Sequence, residues 1–213
     1  QMMETIQSAQ PCILVGTQML AKGHHFPDVT LVAILDADGG LFSADFRGPE
    51  RMAQMITQVA GRAGRAEKPG QVIIQTHMAE HPLLIELTEQ GYAAIAKREL
   101  AERAASQLPP YRFMALLRAE ANNAYAANQF LEEALQQAEQ LVAQHQLDEL
   151  DLLGPVPSPM ERRAGRYRAQ LLLQAAQRST LHQVVHLLLP ILEQHPESRR
   201  VRWSIDIDPL DMF

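Results

Sequence analysis

The residues best equipped for chemistry lie in the run Gln58-Val59-Ala60-Gly61-Arg62-Ala63-Gly64-Arg65. Two arginines stand three apart, each preceded by a glycine, directly after a stretch with helical character. Arginine presents a planar fork of donors that matches phosphate oxygens. Its permanent charge can neutralise the negative charge spread over a transferring phosphoryl group. Glycine allows a tight or left-handed backbone and leaves room for phosphate where a Cβ would stand. Gln58 donates and accepts at once, so it can orient a phosphate or an attacking water. Taken alone, the pattern fits a solvated Gly-Arg turn equally well.

A second segment, Thr17 to Val29, combines a hydroxyl (Thr17), an amide (Gln18), a cation (Lys22) and a glycine (Gly23), followed by His24 and His25. These groups suit phosphate contacts. The segment falls between two apolar runs that read as buried strands, where α/β sheets carry their ligand loops. By itself it also fits an ordinary connection.

Further along, Arg162-Arg163-Ala164-Gly165-Arg166-Tyr167-Arg168 mixes cations with an aromatic ring. That mixture suits nucleic-acid backbone contacts with base stacking, or a solvated hairpin entering a strand. Arg199, Arg200 and Arg202 form another basic segment. Arg178 stands at the start of an expected helix beside Leu181, where a cation and free backbone N–H groups together make an anion seat. A surface arginine without a role is the alternative. Among His24, His25, His77 and His81, only His77 and His81 are four apart. They bracket Glu80 at a strand end rather than on a helix, so no metal site is expected. Trp203 alternates with Val201 and Ile205 and reads as core, and the methionines read as core filler.

The elements that must position these residues follow from periodicity. Cys12–Val15, Thr30–Leu35 and Gln71–Thr76 are short apolar runs read as buried strands. Gly48-Pro49-Glu50 opens a helix to about Ala60, with proline in the first turn and glutamate at its positive end. Residues 82 to about 106 are helical with a break near Gly91, and Leu87, Ile95 and Leu100 form the inward stripe. Alternating strands and helices predict a parallel sheet of the α/β class. Leu108-Pro109-Pro110-Tyr111 ends the helical region, so the chain divides into 1–107 and 108–213. The second part reads as strand Phe113–Ala121, helix Ala124 to about Gln146, short strand Leu152–Val156, and strand Tyr167–Gln174. A helix capped by Ser179 or Thr180 and kinked or restarted at Pro190 follows, then strand Val201–Ile207. The order βαββαβ is the split, ferredoxin-like α+β arrangement.

Composition sets limits on the rest. The 213 residues carry a net charge of −6 and are 46% hydrophobic, which fits a folded soluble protein but not a general nucleic-acid coat. One cysteine, Cys12, excludes an internal disulfide and any zinc site built from several thiolates. No apolar stretch approaches the roughly 20 residues of a membrane span. The first residues lack a signal-peptide layout. They read instead as mid-helix, which suggests a piece of a longer chain.

Together the two phosphate-suited segments resemble motifs V and VI of superfamily 2 helicases. The runs TQMLAKGHHFPDVTLVAILDADGGLFSADFR and ERMAQMITQVAGRAGRAEKPGQVIIQT are similar to the PriA family of bacterial primosomal DNA helicases. EHPLL, QLPPY, LLGPVP and the closing DIDP continue the likeness over nearly the whole chain. The resemblance implies the end of a second RecA-like motor lobe, followed by the accessory domain. It implies ATP with Mg2+ as the fuel, Arg65 as arginine finger, Arg62 beside it, and Gln58 at the γ-phosphate. Gly23, His25, Gly61 and Gly64 would lie at the nucleotide. Many related motifs carry an acidic residue where this chain has His25, so a ribose contact is not carried over. Thr17, Gln18 and Lys22 would touch the DNA backbone, and Arg162, Arg163, Arg166 and Arg168 would bind DNA from the accessory domain. Arg178 would receive the acidic tail of the single-stranded DNA-binding protein. The implied partners are single-stranded and forked DNA and other primosome proteins, in the bacterial cytoplasm at the nucleoid, without a membrane. The implied activity is 3′-to-5′ unwinding at stalled replication forks and help in loading the replicative helicase. The family's phosphate-binding loop, its Asp-Glu-x-His motif and its zinc cysteines do not occur in this sequence, so the chain alone is expected to be inactive. A non-catalytic adaptor for DNA and partner proteins is the alternative reading.

Overall fold

The computed structural model describes residues 11–17, 29–61 and 70–212. The chain divides into two compact units, Gln1–Ala101 and Glu102–Phe213.

Among the described residues the first unit has two parallel strands, β1 (Leu31–Ile34) and β2 (Gln71–Ile74), paired in register from Leu31–Gln71 to Ile34–Ile74. A parallel pair needs a long crossover. Here the chain between them includes the short helix α1 (Asp38–Leu41) and α2 (Gly48–Ala60). Helices α3 (Pro82–Gln90) and α4 (Tyr92–Ala105) follow. Ile34, Met52, Ile56, Leu83, Leu87 and Ile95 are all buried in one cluster. The i, i+4 spacing of Met52 and Ile56 puts both on one face of α2. His81 caps α3 by accepting the Leu83 N–H at Nδ1, 3.2 Å away. Gly91, with φ +79°, ends it, a backbone that glycine adopts without penalty.

Two expectations change here. Residues 11–17 are irregular and exposed, so Cys12–Val15 is not a strand. Its apolar side chains have no neighbouring strand to pair with among the described residues, and Ile13 stands 93% exposed. In α4 the inward partner of Ile95 is Glu99, one turn on, whereas Leu100 is exposed. A one-residue offset turns a side chain about 100° around a helix.

The second unit is a four-stranded antiparallel sheet in the order β4-β5-β3-β6. Its elements are β3 (Phe113–Ala121), α5 (Ala124–His145), β4 (Leu150–Arg163), β5 (Arg166–Ala175), α6 (Arg178–Gln194), a short 3-10 turn (Pro196–Arg199) and β6 (Arg202–Ile207). This order, with βαββαβ connectivity, is the ferredoxin-like topology that the sequence pattern predicts. Alternate residues Ala115, Leu117, Ala119 and Ala121 of β3 meet Phe130, Leu131 and Ala134 of α5, with Leu181, Val184 and Leu188 of α6, in a continuous core. The other face also buries Met114 and Leu116. The segments flanking the sheet reach it there: the Gln174 amide donates to the Gln107 carbonyl, and Arg118 to that of Asp211.

Three details depart from the sequence reading. β4 is fourteen residues long rather than ending near Val156, and it stays paired with β5 as far as Arg163–Arg166. Its prolines at 155, 157 and 159 are tolerable because β4 is an edge strand, where a missing N–H can face solvent. The register with β5 shifts between Leu153 and Val156 and again between Pro157 and Arg162. At the first, a Cβ on Gly154 would sit 3.0 Å from the Gln170 carbonyl oxygen. The N-cap of α6 is Gln177, without a side-chain cap, rather than Ser179 or Thr180. The Gln177 carbonyl already accepts the Leu181 N–H, 3.3 Å away, so the helix is under way before either hydroxyl. Finally, α6 continues through Pro190 and does not restart there. Pro190 is exposed, so water can satisfy the carbonyl it leaves unbonded.

Candidate nucleotide and nucleic-acid site

In a parallel sheet the ligand-facing rim lies at the carboxyl ends of the strands. In the first unit that rim is tied by one carboxylate. Asp38, just after β1, accepts the Thr76 hydroxyl at Oδ1. Its Oδ2 accepts the His77 backbone N–H at 3.0 Å and lies 2.6 Å from His77 Nδ1. Thr76 and His77 follow β2, so Asp38 bolts the two strand ends together. These donors, the Thr76 hydroxyl first, hold the Asp38 carboxyl at about 2, below its ordinary 3.8. The Thr76 hydroxyl also receives the Met78 N–H at 3.0 Å, which shapes the turn beyond. The sequence reading weighed His77 as a metal ligand and passed over Asp38 and Thr76. The signal that would have found them is their shared position immediately after two strands of one parallel pair.

A second carboxylate sets the start of α2. Asp45 is 1% exposed and accepts the Arg47 N–H at 2.9 Å and Arg51 Nη1 at 3.2 Å. Its own N–H donates to Ser43 Oγ at 3.1 Å. Gly48 lets this turn close on itself, since a Cβ there would fall 2.2 Å from the Ser43 Cβ. The turn aims α2, and α2 delivers Gln58 and Gly61. Gln58 is exposed in the last turn, and the Gly61 N–H donates to the Thr57 carbonyl at 3.0 Å. Gly61 has an ordinary helical φ of −66°. What glycine supplies at this position is therefore an absent side chain, not a left-handed turn.

Thr17 is exposed in the irregular segment 11–17. Gln18, Lys22, Gly23, His25, Arg62, Gly64 and Arg65 lie outside the described residues.

In the second unit, Arg162, Arg163 and Arg166 gather at the tip of the β4–β5 hairpin. The two turn residues, Ala164 and Gly165, have φ +49° and +79°, the sign that a two-residue type I′ hairpin requires at both positions. Arg162 and Arg163 are exposed, and the Arg162 guanidinium lies 5.2 Å from the Tyr167 ring centroid. Arg168 is placed differently. It is 8% exposed, with Nε 3.1 Å from Glu120 Oε1 across the β3–β5 ladder. Arg178, the first residue of α6, sits 3.0 Å from Asp208 Oδ2, and its guanidinium stacks 4.9 Å from the Phe113 ring centroid. Trp203 is half-buried against Phe130, at 6.1 Å between centroids.

The donor sets can be tested against the expected ligands. Gln58 and the glycine backbone suit a nucleotide's phosphates. No group of three or more His, Cys, Asp or Glu among the described residues is arranged to hold a metal. No helix of the described residues is long and apolar enough to cross a membrane.

Comparison with known proteins gives two profile matches in tandem. Residues 1–67 match the helicase conserved C-terminal domain, and residues 104–210 match the primosomal protein N C-terminal domain. Curated relatives include the replication restart protein PriA of Haemophilus influenzae, 46% identical over 210 residues, covering 99% of this chain and 28% of that protein. The PriA of Bacillus subtilis is 40% identical over 207 residues, covering 94% of this chain and 24% of that protein. That of Synechocystis is 37% identical over 211 residues, covering 99% of this chain and 24% of that protein. This chain thus spans about a quarter of the length of these relatives. Among solved structures, a dimeric ferredoxin-like protein from an uncultured marine organism overlaps 48% of this chain and 97% of its own. Its TM-score is 0.34 at 12% identity, and the fold assignment rests on the strand order instead.

Proposed function

This chain belongs to the PriA family of replication restart proteins, and from that premise we propose that it supplies one half of an ATP-driven DNA motor and the DNA-contacting domain attached to it. The observation that carries the reading is the tandem of a helicase C-terminal match and a primosomal C-terminal match on one chain, with relatives aligned across both. In this reading the second motor lobe holds the phosphates of ATP bound mainly by a partner lobe. Arg65 reaches the transferring phosphoryl group as arginine finger, Arg62 neutralises neighbouring oxygens, and Gln58 orients the γ-phosphate. Gly23, His25, Gly61 and Gly64 line the nucleotide. The Asp38–Thr76–His77 bolt ties together the carboxyl ends of β1 and β2, the rim at which an α/β sheet presents its ligand. Thr17, Gln18 and Lys22 hold the DNA backbone and couple grip to the nucleotide state. Mg2+, held by carboxylates outside this chain, supplies charge neutralisation at the phosphates.

The accessory domain contacts DNA through Arg162, Arg163 and Arg166 on the hairpin tip, with Arg168 bracing the strand from below through Glu120. Arg178 receives an acidic peptide tail by exchanging Asp208 for the incoming carboxylate, which keeps the cation paired in both states. The whole protein is then a 3′-to-5′ helicase that restarts stalled forks and helps load the replicative helicase with other primosome proteins. This chain by itself does not turn over ATP. The exposed arginines of the hairpin tip also support an adaptor role for the domain, which is compatible with the motor reading.

The test is Arg65→Ala in the full-length protein. DNA-stimulated ATP turnover should fall by about three to five powers of ten, with DNA affinity largely retained. Turnover within tenfold of wild type would remove Arg65 from the chemistry.

A further inference from the structure

The second unit carries an open groove of about 530 Å³ whose lining includes Arg166, Arg199, Arg200, Arg202 and Trp203. It lies where the 3-10 turn enters β6. Arg199, Arg200 and Arg202 are exposed and Arg166 is half-buried. Of these four cations only Arg200 has an ion-pair partner among the described residues: Glu197, at 3.5 Å on the exposed rim. The ladder explains why Arg202 has none. Glu120 stands opposite both Arg202 and Arg168, and Arg168 takes its carboxylate. Three cations without an ion-pair partner among the described residues stand beside Arg200 around one groove, and an anion arriving there relieves their mutual repulsion.

The aromatic residues indicate which anion. Single-strand binders pair a basic channel with open rings on which bases stack. Here the groove is lined by one ring, Trp203, which is half-buried and leans on Phe130 at 6.1 Å, while Tyr167 lies outside the lining with Arg162 over its ring. The groove therefore offers four cations but a single half-buried ring, not the row of open rings on which successive bases stack. Duplex nucleic acid presents rows of phosphates and no unstacked bases, which matches that offer. We propose that this groove binds the sugar–phosphate backbone of duplex DNA, without reading sequence, as a second contact beside the hairpin tip. The proposal rests on the reading that this domain contacts DNA.

The experiment measures affinity of the full-length protein for a blunt duplex, and for one strand of it, over a range of salt. It compares wild type with Arg199→Ala/Arg200→Ala/Arg202→Ala and with the corresponding triple lysine variant. Each lost phosphate contact on B-form DNA removes about 0.9 from the slope of log affinity against log salt. The alanine variant should show a duplex slope shallower by about 2–3, with the single-strand slope unchanged. The lysine variant should keep the wild-type slope, because the contact is one of charge. Wild-type binding with an unaltered duplex slope in the alanine variant overturns the groove. Equal loss on single strands overturns the choice of duplex. If the wild type binds neither DNA form, the underlying reading of the domain fails instead.

Discussion

At Asp38 three donors from Thr76 and His77 converge on one carboxylate. Each favours the ionised form, and together they hold its pKa at about 2. The sign of the consequence follows. A carboxyl whose pKa is lower in the folded state contributes stability in full above its unfolded value of about 4. That contribution is lost as pH falls towards the folded value of about 2. Urea unfolding of wild type and Asp38→Asn across a pH series should therefore show a gap that is constant above about pH 4 and closes towards pH 2. A gap independent of pH would mean that the carboxylate's charge plays no part. None of this arrangement was legible locally. Asp38 and Thr76 are 38 residues apart, and only parallel pairing of β1 with β2 brings them together. Arg168 makes the same point. Its spacing from Arg166 suggested one basic cluster, but a cross-strand glutamate on β3 claims it.

At the scale of elements, the β4–β5 hairpin holds the basic tip in place, and its turn is not fully adapted. Gly165 suits a positive φ, whereas Ala164, at φ +49°, pays for its Cβ in that conformation. Asparagine tolerates the left-handed region, and Asn-Gly is the favoured type I′ pair. Ala164→Asn should raise stability by about 1 kcal/mol, read as a higher denaturant midpoint with an unchanged m-value. A lower midpoint would show that the turn has a different geometry. Helices were legible because their apolar periodicity is local: α2, α3 and α5 begin and end close to their expected bounds, and α6 begins close to its expected start. Strand β4 was not, because alternating prolines signal a stop in a central strand and are harmless at an edge, and sequence alone does not show which position a strand takes. Cys12–Val15 failed for the converse reason, since an apolar run becomes a strand only where a neighbour pairs with it.

For the whole molecule, the division of labour follows from what each unit can and cannot supply. The first brings two strand ends tied together by Asp38 and the helix that leads to the Gly-Arg motif. The second brings cations on a hairpin and along a groove, supported by a sheet whose inner face packs against α5 and α6. Motif order disclosed the family and the ferredoxin-like topology, because both are written in linear spacing. The groove was foreshadowed only as a basic segment, Arg199 to Arg202, since Arg166 joins it through the fold. The claim on which the account depends is that this chain holds half of an ATPase site. Its most direct test is ATP turnover by the purified 213-residue chain with saturating DNA, beside the full-length protein under the same conditions. The account predicts DNA-stimulated hydrolysis by the full-length protein and none above background by the chain alone. Sustained turnover by the chain alone, abolished by Arg65→Ala, would contradict it by showing a complete site where only half is proposed.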